Sequence, residues 1–167
     1  MRTGIAFTGL VLLTGLVAGC GGGERPAAPP VPEFKNLGAH TRKITTASPD
    51  AQRYFDQGMV LAFGFNHAEA IRSFRAAQKL DPNCAMCFWG EALATGPNIN
   101  VTAKGKAIMT ADEQTSAWAA LEKAKAVAGS KPQVEQDLIA ALGKRYSPQP
   151  VEDRTAPIVT PAYLRLA

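Results

Sequence analysis

The stretch "SPDAQRYFDQGMVLAFGFNHAEAIRSFRAAQKLDP", residues 48–82, decides the fold. Ser48 is placed to cap a helix, with Pro49 at its first position and Asp50 in its first turn. Tyr54, Leu61 and Phe65 fall on one face, with small Gly58 and Ala62 between them. A second helix opens at Asn66, and Glu69 stands three residues on, a capping-box arrangement. Ala70, Phe74 and Ala77 then line one stripe until Pro82 stops the segment. Two helices joined by so short a turn must run antiparallel. Small side chains let them close, and a ring fills the seam.

Downstream the pattern returns in looser form. Asn83 is placed to cap a third helix running to about Ala94, with Phe88 and Ala92 in the places of Tyr54 and Gly58. "GPNINVTAKGKAIM" (96–109) interrupts, and "TADEQTSAWAALEKAKAVAG" (110–129) resumes. There a Thr110…Glu113 capping box starts a fourth helix and Gly129 ends it. Ala117, Leu121 and Ala124 repeat the offsets of Ala70, Phe74 and Ala77. "SKPQVEQDLIAALGKRY" (130–146) opens a fifth at Ser130, Pro132 and Gln133, carrying Leu138, Leu142 and Tyr146.

The paired stretch resembles the tetratricopeptide repeat (TPR), whose unit carries an aromatic, Leu-Gly, a second aromatic, then Ala-x3-Phe and Pro. The matching positions are Tyr54, Gln57-Gly58, Leu61, Ala70-x3-Phe74, Ala77 and Pro82, with Gln57 and Leu61 departing from the pattern. The resemblance implies an all-α, antiparallel helix-turn-helix solenoid fragment over residues 48–147. It would hold about five helices, two repeats and the first helix of a third. "SPQPVEDRTAPIVTPAYLRLA" (147–167) is proline-rich and without helical period, so irregular coil is expected over 148–167. A solenoid needs about three repeats and a capping helix, so the fragment reads as one truncated at its C-terminus.

Upstream, "MRTGIAFTGLVLLTGLVAGC" has a basic start, a short apolar run and a small-residue end. That is an export signal, too short and wrongly flanked for a spanning helix. Its end, "VAGC", is similar to the lipobox of bacterial lipoproteins. The resemblance implies cleavage after residue 19 and acylation of Cys20. Three acyl chains give a firm hold, at about 0.8 kcal/mol per buried methylene. Gly21 follows the cysteine, which by the same resemblance implies the outer membrane, with the protein facing the periplasm. "GGGERPAAPPVPEF" begins a Gly/Pro-rich tether expected over 20–47.

Within "DPNCAMCFWGEAL" (81–93), Cys84 and Cys87 fall in the first turn of the third helix. Residues three apart on a helix have α-carbons about 5 Å apart, a spacing a disulfide tolerates. Export would expose them to an oxidising compartment. One reading is a structural disulfide or plain buried thiols. The alternative is redox or copper chemistry, since Cys84, Met86 and Cys87 are soft donors and a helix N-terminus lowers a thiol pKa. Haem attachment is excluded because Phe88 stands where C-x-x-C-H needs histidine. Structural zinc needs four ligands, and two are visible. A helix of roughly 20 Å separates His67 from Cys84, whereas His40 could reach the cysteine end if the tether folds back. No metal site or cofactor is expected.

Composition narrows the function classes. The chain has 167 residues, 46% hydrophobic and 19% charged, with a net charge of +4 spread along its length. No Lys/Arg cluster interleaves with aromatics, so nucleic acid is not an expected partner. Neither a nucleophile–base pair nor a phosphate loop is visible, and the chain does not read as an enzyme. Asn100 heads a glycosylation sequon without use in a bacterial lipoprotein. Trp89 and Trp118 read as core, and Lys104 and Lys106 as a solvated loop. The expectation is a lipid-anchored periplasmic scaffold for protein–protein interaction, its partner unknown, with Arg53, Gln57 and Glu91 among exposed contact positions. The alternative is redox or copper handling through Cys84 and Cys87.

Overall fold

The computed structural model describes residues 1, 30–98 and 109–150. The expected signal peptide, Cys20, Asn100, Lys104, Lys106 and nearly all of the 148–167 tail lie outside the described residues. The chain divides into two units, Met1–Pro30 and Val31–Ala167; only Met1 and Pro30 of the first are described. The second unit is all-helical among its described residues: α1 (Pro49–Phe63), α2 (His67–Leu80), α3 (Ala85–Thr95), α4 (Ala111–Ala128) and α5 (Gln133–Gly143). No described helix is long and apolar enough to cross a membrane.

Caps set the helix limits. Ser48 accepts a hydrogen bond from the Ala51 N–H, Asn66 from Glu69, and Thr110 from Glu113. At Thr110 the box is reciprocal, with the Glu113 carboxylate taking the Thr110 N–H. Two starts differ from expectation. Cys84, not Asn83, caps α3, and the Asn83 N–H donates to the Asp81 carboxylate. At α5 the cap is Pro132, with no side-chain bond, and Ser130 stays outside the helix.

Consecutive helices pack in antiparallel fashion. Gln57 meets Ser73 across α1 and α2, and Arg75 and Gln78 meet Glu91 across α2 and α3. The ring of Phe74 enters the seam between α1 and α3, against the bare backbones of Gly58 and Gly90. Ala51, Ala70, Ala77, Ala92, Ala117 and Ala124 are fully buried, so the helix axes close to short range. Fully buried Phe55, Met86, Leu121 and Leu142 fill the remaining volume.

The ring that α1 turns inward is Phe55 and not the expected Tyr54. Phe55 is fully buried, and its ring centroid lies 5.6 Å from that of Phe74. Tyr54 is half-buried and donates its hydroxyl to the Val31 carbonyl. Phe65 is not on the face at all. The helix ends at Phe63, and Phe65 takes a left-handed φ of 63° in the turn, leaving its side chain 61% exposed. Gly58, Leu61, Ala70, Phe74 and Ala77 are buried, while Pro82 sits exposed in the turn after α2.

Beyond the neighbours in sequence, α1 packs on α3 and α3 on α5, whereas the backbones of α2 and α4 stay apart. The odd helices form a row and the even helices splay. Between α3 and α5, the Trp89 indole donates to the Leu138 carbonyl at 3.1 Å, and just past α5 the Tyr146 hydroxyl shares its proton between the carbonyls of Ala92 and Gly96.

Residues 31–47, expected as tether, instead strap the helices. The Phe34 N–H donates to Gln57, the Arg42 N–H to Asp56 and the Ile44 N–H to Gln52, at 2.9–3.0 Å. The chain then crosses to α5, where the Thr45 N–H meets Glu135 at 2.7 Å, and returns to Asp81 through the Thr46 hydroxyl. Ile44 is only 6% exposed and belongs to the core. An extended segment with no partner strand must find acceptors for its N–H groups, and the polar side chains of α1 supply them.

Candidate functional site

Cys84 and Cys87 are joined by a disulfide with their α-carbons 5.3 Å apart. Both are fully buried. The Cys84 sulfur also accepts the Cys87 N–H at 3.2 Å, so the covalent turn doubles as the helix cap. Met86 beside the bridge is also buried. His40 is exposed on the strap. His67 opens α2 at the far end of that helix; both its ring nitrogens are shut from solvent without a hydrogen-bond partner, and burial lowers its pKa. Among the described residues no three His, Cys, Asp or Glu side chains gather as a metal site.

A cleft opens where α2 and α4 diverge, with α3 as its floor. Arg75, Gln78 and Lys79 come from α2, Phe88 and Glu91 from α3, and Lys123 from α4, around a volume of 450 Å³. That volume lies within the range of ligand pockets, about 300–1,000 Å³. Positions 75, 78 and 79 share one helix face, as do 88 and 91, so the local periodicity alone brings them to the opening.

Glu91 organises the floor. Only 8% exposed, it accepts from Arg75 Nε at 2.7 Å and from Gln78 Nε2 at 2.7 Å. Gln78 Nε2 also reaches the Cys87 carbonyl at 3.2 Å, which ties the cleft to the disulfide turn. The buried carboxylate is thereby satisfied on both oxygens, as burial of a charge demands. Lys123 Nζ stands 5.8 Å from the centroid of the Phe88 ring. Neither Lys79 nor Lys123 forms an ion pair among the described residues. With Arg75 matched to Glu91, the exposed Lys79 and Lys123 are the remaining positive charges at the opening, and the Phe88 ring beneath Lys123 is buried.

The three positions expected as exposed contacts fare differently. Arg53 is exposed and pairs with Asp50 at 2.6 Å and Glu33 at 3.2 Å. Lys35 also holds the Glu33 carboxyl, through a hydrogen bond that puts it below its ordinary pKa. Gln57 and Glu91 are buried instead. Gln57, 7% exposed, donates to Ser73 and the Pro32 carbonyl and accepts from Phe34, which locks the strap to the α1–α2 seam. Trp89 is buried, and Trp118 is half-buried beneath Lys125, whose Nζ lies 4.7 Å above its ring. The sequence reading passed over the cleft. Its local signal was the pair Arg75 and Lys79, one turn apart on α2. No family model, curated protein or solved structure matches this chain.

Proposed function

We propose that this chain is a lipid-anchored scaffold of the bacterial cell envelope, a tetratricopeptide-like solenoid that holds a protein partner at the periplasmic face of the outer membrane. The observation that carries this reading is the row of odd helices. α1, α3 and α5 touch in series while α2 and α4 part, the packing that gives a stack of helical hairpins an inner and an outer surface. Phe74 seated on Gly58 and Gly90 supports the repeat assignment, since one ring serves the seam within a hairpin and the seam to the next. The lipobox-like "VAGC" supports the anchor. The functional step from fold to partner is one of analogy.

Two measurements test it. Cells fed labelled palmitate should incorporate it into the chain, and Cys20→Ala should abolish the label and release the protein from the membrane fraction. Crosslinking in intact envelopes should then capture one identifiable protein with the anchored chain. Recovery of the anchored chain uncrosslinked, across reagents of several lengths, defeats the scaffold reading.

A further inference from the structure

We infer that the α1–α2 turn is a membrane-docking tip, whose Phe63 and Phe65 rings enter the interfacial layer of the bilayer that holds the lipid of Cys20. The docking rests on the anchor proposed above and fixes which end of α1 and α2 the anchored chain turns to the lipid.

Both rings stand out from the fold, Phe63 72% and Phe65 61% exposed. Phe65 does so at a φ of 63°, a conformation that asparagine or glycine adopts more readily. Elsewhere exposed apolar side chains sit among charges: Phe34 lies between Glu33 and Lys35, and Leu80 between Lys79 and Asp81. The turn has no such neighbours. Residues 57–68 contain no Asp, Glu, Lys or Arg, and the next charge, Glu69, is matched by Arg72 at 2.6 Å. His67, edge-on to the Phe65 ring, is kept neutral at pH 7 by burial. Three N–H groups are also bonded within the turn, Gly64 to the Val60 carbonyl, Phe65 to Ala62 and Asn66 to Leu61, at 2.8–3.1 Å. A tip without charge and with these groups matched can enter a low-dielectric layer, where an unmatched polar group is costly.

Size and reach favour lipid over a second copy. The two rings expose on the order of 250 Å², well short of the ~800 Å² per partner that a stable dimer buries. Such a patch suffices to orient a chain whose acyl groups already supply the hold. Val31 follows Cys20 by eleven positions, at most about 40 Å of chain. The Val31 carbonyl is held by Tyr54, which stands about 14 Å from Phe63 along α1. Contour length alone therefore lets the rings meet a bilayer that holds Cys20.

The reporter is an environment-sensitive NBD fluorophore on Ala68→Cys, exposed and three positions from Phe65, with Lys79→Cys near the other end of α2 as control. The full chain is reconstituted in phosphatidylethanolamine–phosphatidylglycerol vesicles carrying a headgroup-proximal nitroxide lipid, and palmitate labelling is read on the same preparation. The nitroxide should quench the fluorophore at position 68 several-fold more than at position 79. Phe63→Gln with Phe65→Asn, the second at a φ that asparagine accepts, should remove that difference while palmitate labelling and helix content stay unchanged. Equal quenching at the two sites, or quenching that survives the ring substitutions, overturns the inference. So does shielding of position 68 in intact envelopes but not in vesicles, which would assign the rings to a protein. A doubled mass in detergent that the ring variant loses would assign them to a second copy and overturn it too. A labelled chain without quenching at position 68 rejects the docking and leaves the anchor standing. An unlabelled chain that is quenched rejects the anchor and leaves the docking, and a chain with neither rejects both.

Discussion

Phe74 of α2 presses its ring against the backbone of Gly90 in α3, in the space a Cβ atom on Gly90 would fill. On the other side the same ring meets Gly58 of α1, where an added Cβ would stand 2.7 Å from Cε1. The ring is thus in close contact with two glycine backbones at once.

Gly90→Ala should therefore destabilise the domain, although alanine is the better helix former. The helix gain is about 1 kcal/mol, and overpacking a fixed ring costs about 1–3 kcal/mol. The clash wins, by up to about 2 kcal/mol in urea unfolding. Adding Phe74→Leu to the variant should recover part of that loss, because the smaller side chain vacates the contested space. If Gly90→Ala is neutral or stabilising, the ring is free to move and the clash is not real.

The Cys84–Cys87 bridge closes a very small ring, and chain entropy assigns such a loop about 2 kcal/mol at most. Replacing the pair with Cys84→Ser and Cys87→Ala should cost less than that, since serine is the better helix cap and recovers the bond to the residue 87 N–H. Native protein should also resist alkylation at both positions, with or without mild reductant, and yield the two thiols only when unfolded. Rapid labelling under native reducing conditions would show that the buried pair opens. It would also return the redox reading to consideration.

The strap makes a different prediction. Ile44 lies outside every helix, yet its side chain is buried in the core and its N–H is held by Gln52 at 3.0 Å. Truncating a buried isoleucine costs about 2–5 kcal/mol. Ile44→Ala should reach the lower half of that range and lower the thermal midpoint accordingly. Lys43→Ala, one residue away and exposed, should do nothing. An Ile44→Ala chain as stable as its parent would mean that residues 31–47 are a tether after all.

These cases separate what local pattern reveals from what it hides. Ser48, Asn66 and Thr110 declare helix starts because a cap is satisfied within three residues, and Phe74 declares a seam because small residues flank it at fixed spacing. Tyr54 and Phe55 are one residue apart, about 100° round the helix, and either could be the inward ring. Phe55 wins because Phe74 is there to receive it. Gln57 and Glu91 read as surface by type alone. Their burial depends on partners distant in the chain, Pro32, Phe34 and Ser73 for one and Arg75 and Gln78 for the other. The cleft was illegible for a related reason: it exists only because α2 and α4 diverge.

His67 gives the fold a pH dependence of definite sign. Burial lowers its pKa below the ordinary 6.5, and its ring nitrogens have no acceptor or donor to compensate. Below about pH 6.5 the unfolded chain takes up a proton that the folded chain refuses, so stability should fall as the pH drops from there to the folded-state pKa. Asp81 acts in a separate, lower window. Burial alone would raise its pKa, but the Thr46 hydroxyl and the N–H groups of Asn83 and Ala47 hold it below its usual 3.8. The stability it contributes is present above that value and is lost as pH falls toward the folded-state pKa. Urea midpoints measured from about pH 8 to about pH 5 should decline for the parent chain and flatten for His67→Gln, whatever the variant's stability at high pH. Asp81→Asn should leave that decline intact and remove only loss at more acid pH. An unchanged slope in His67→Gln would place the titrating group elsewhere.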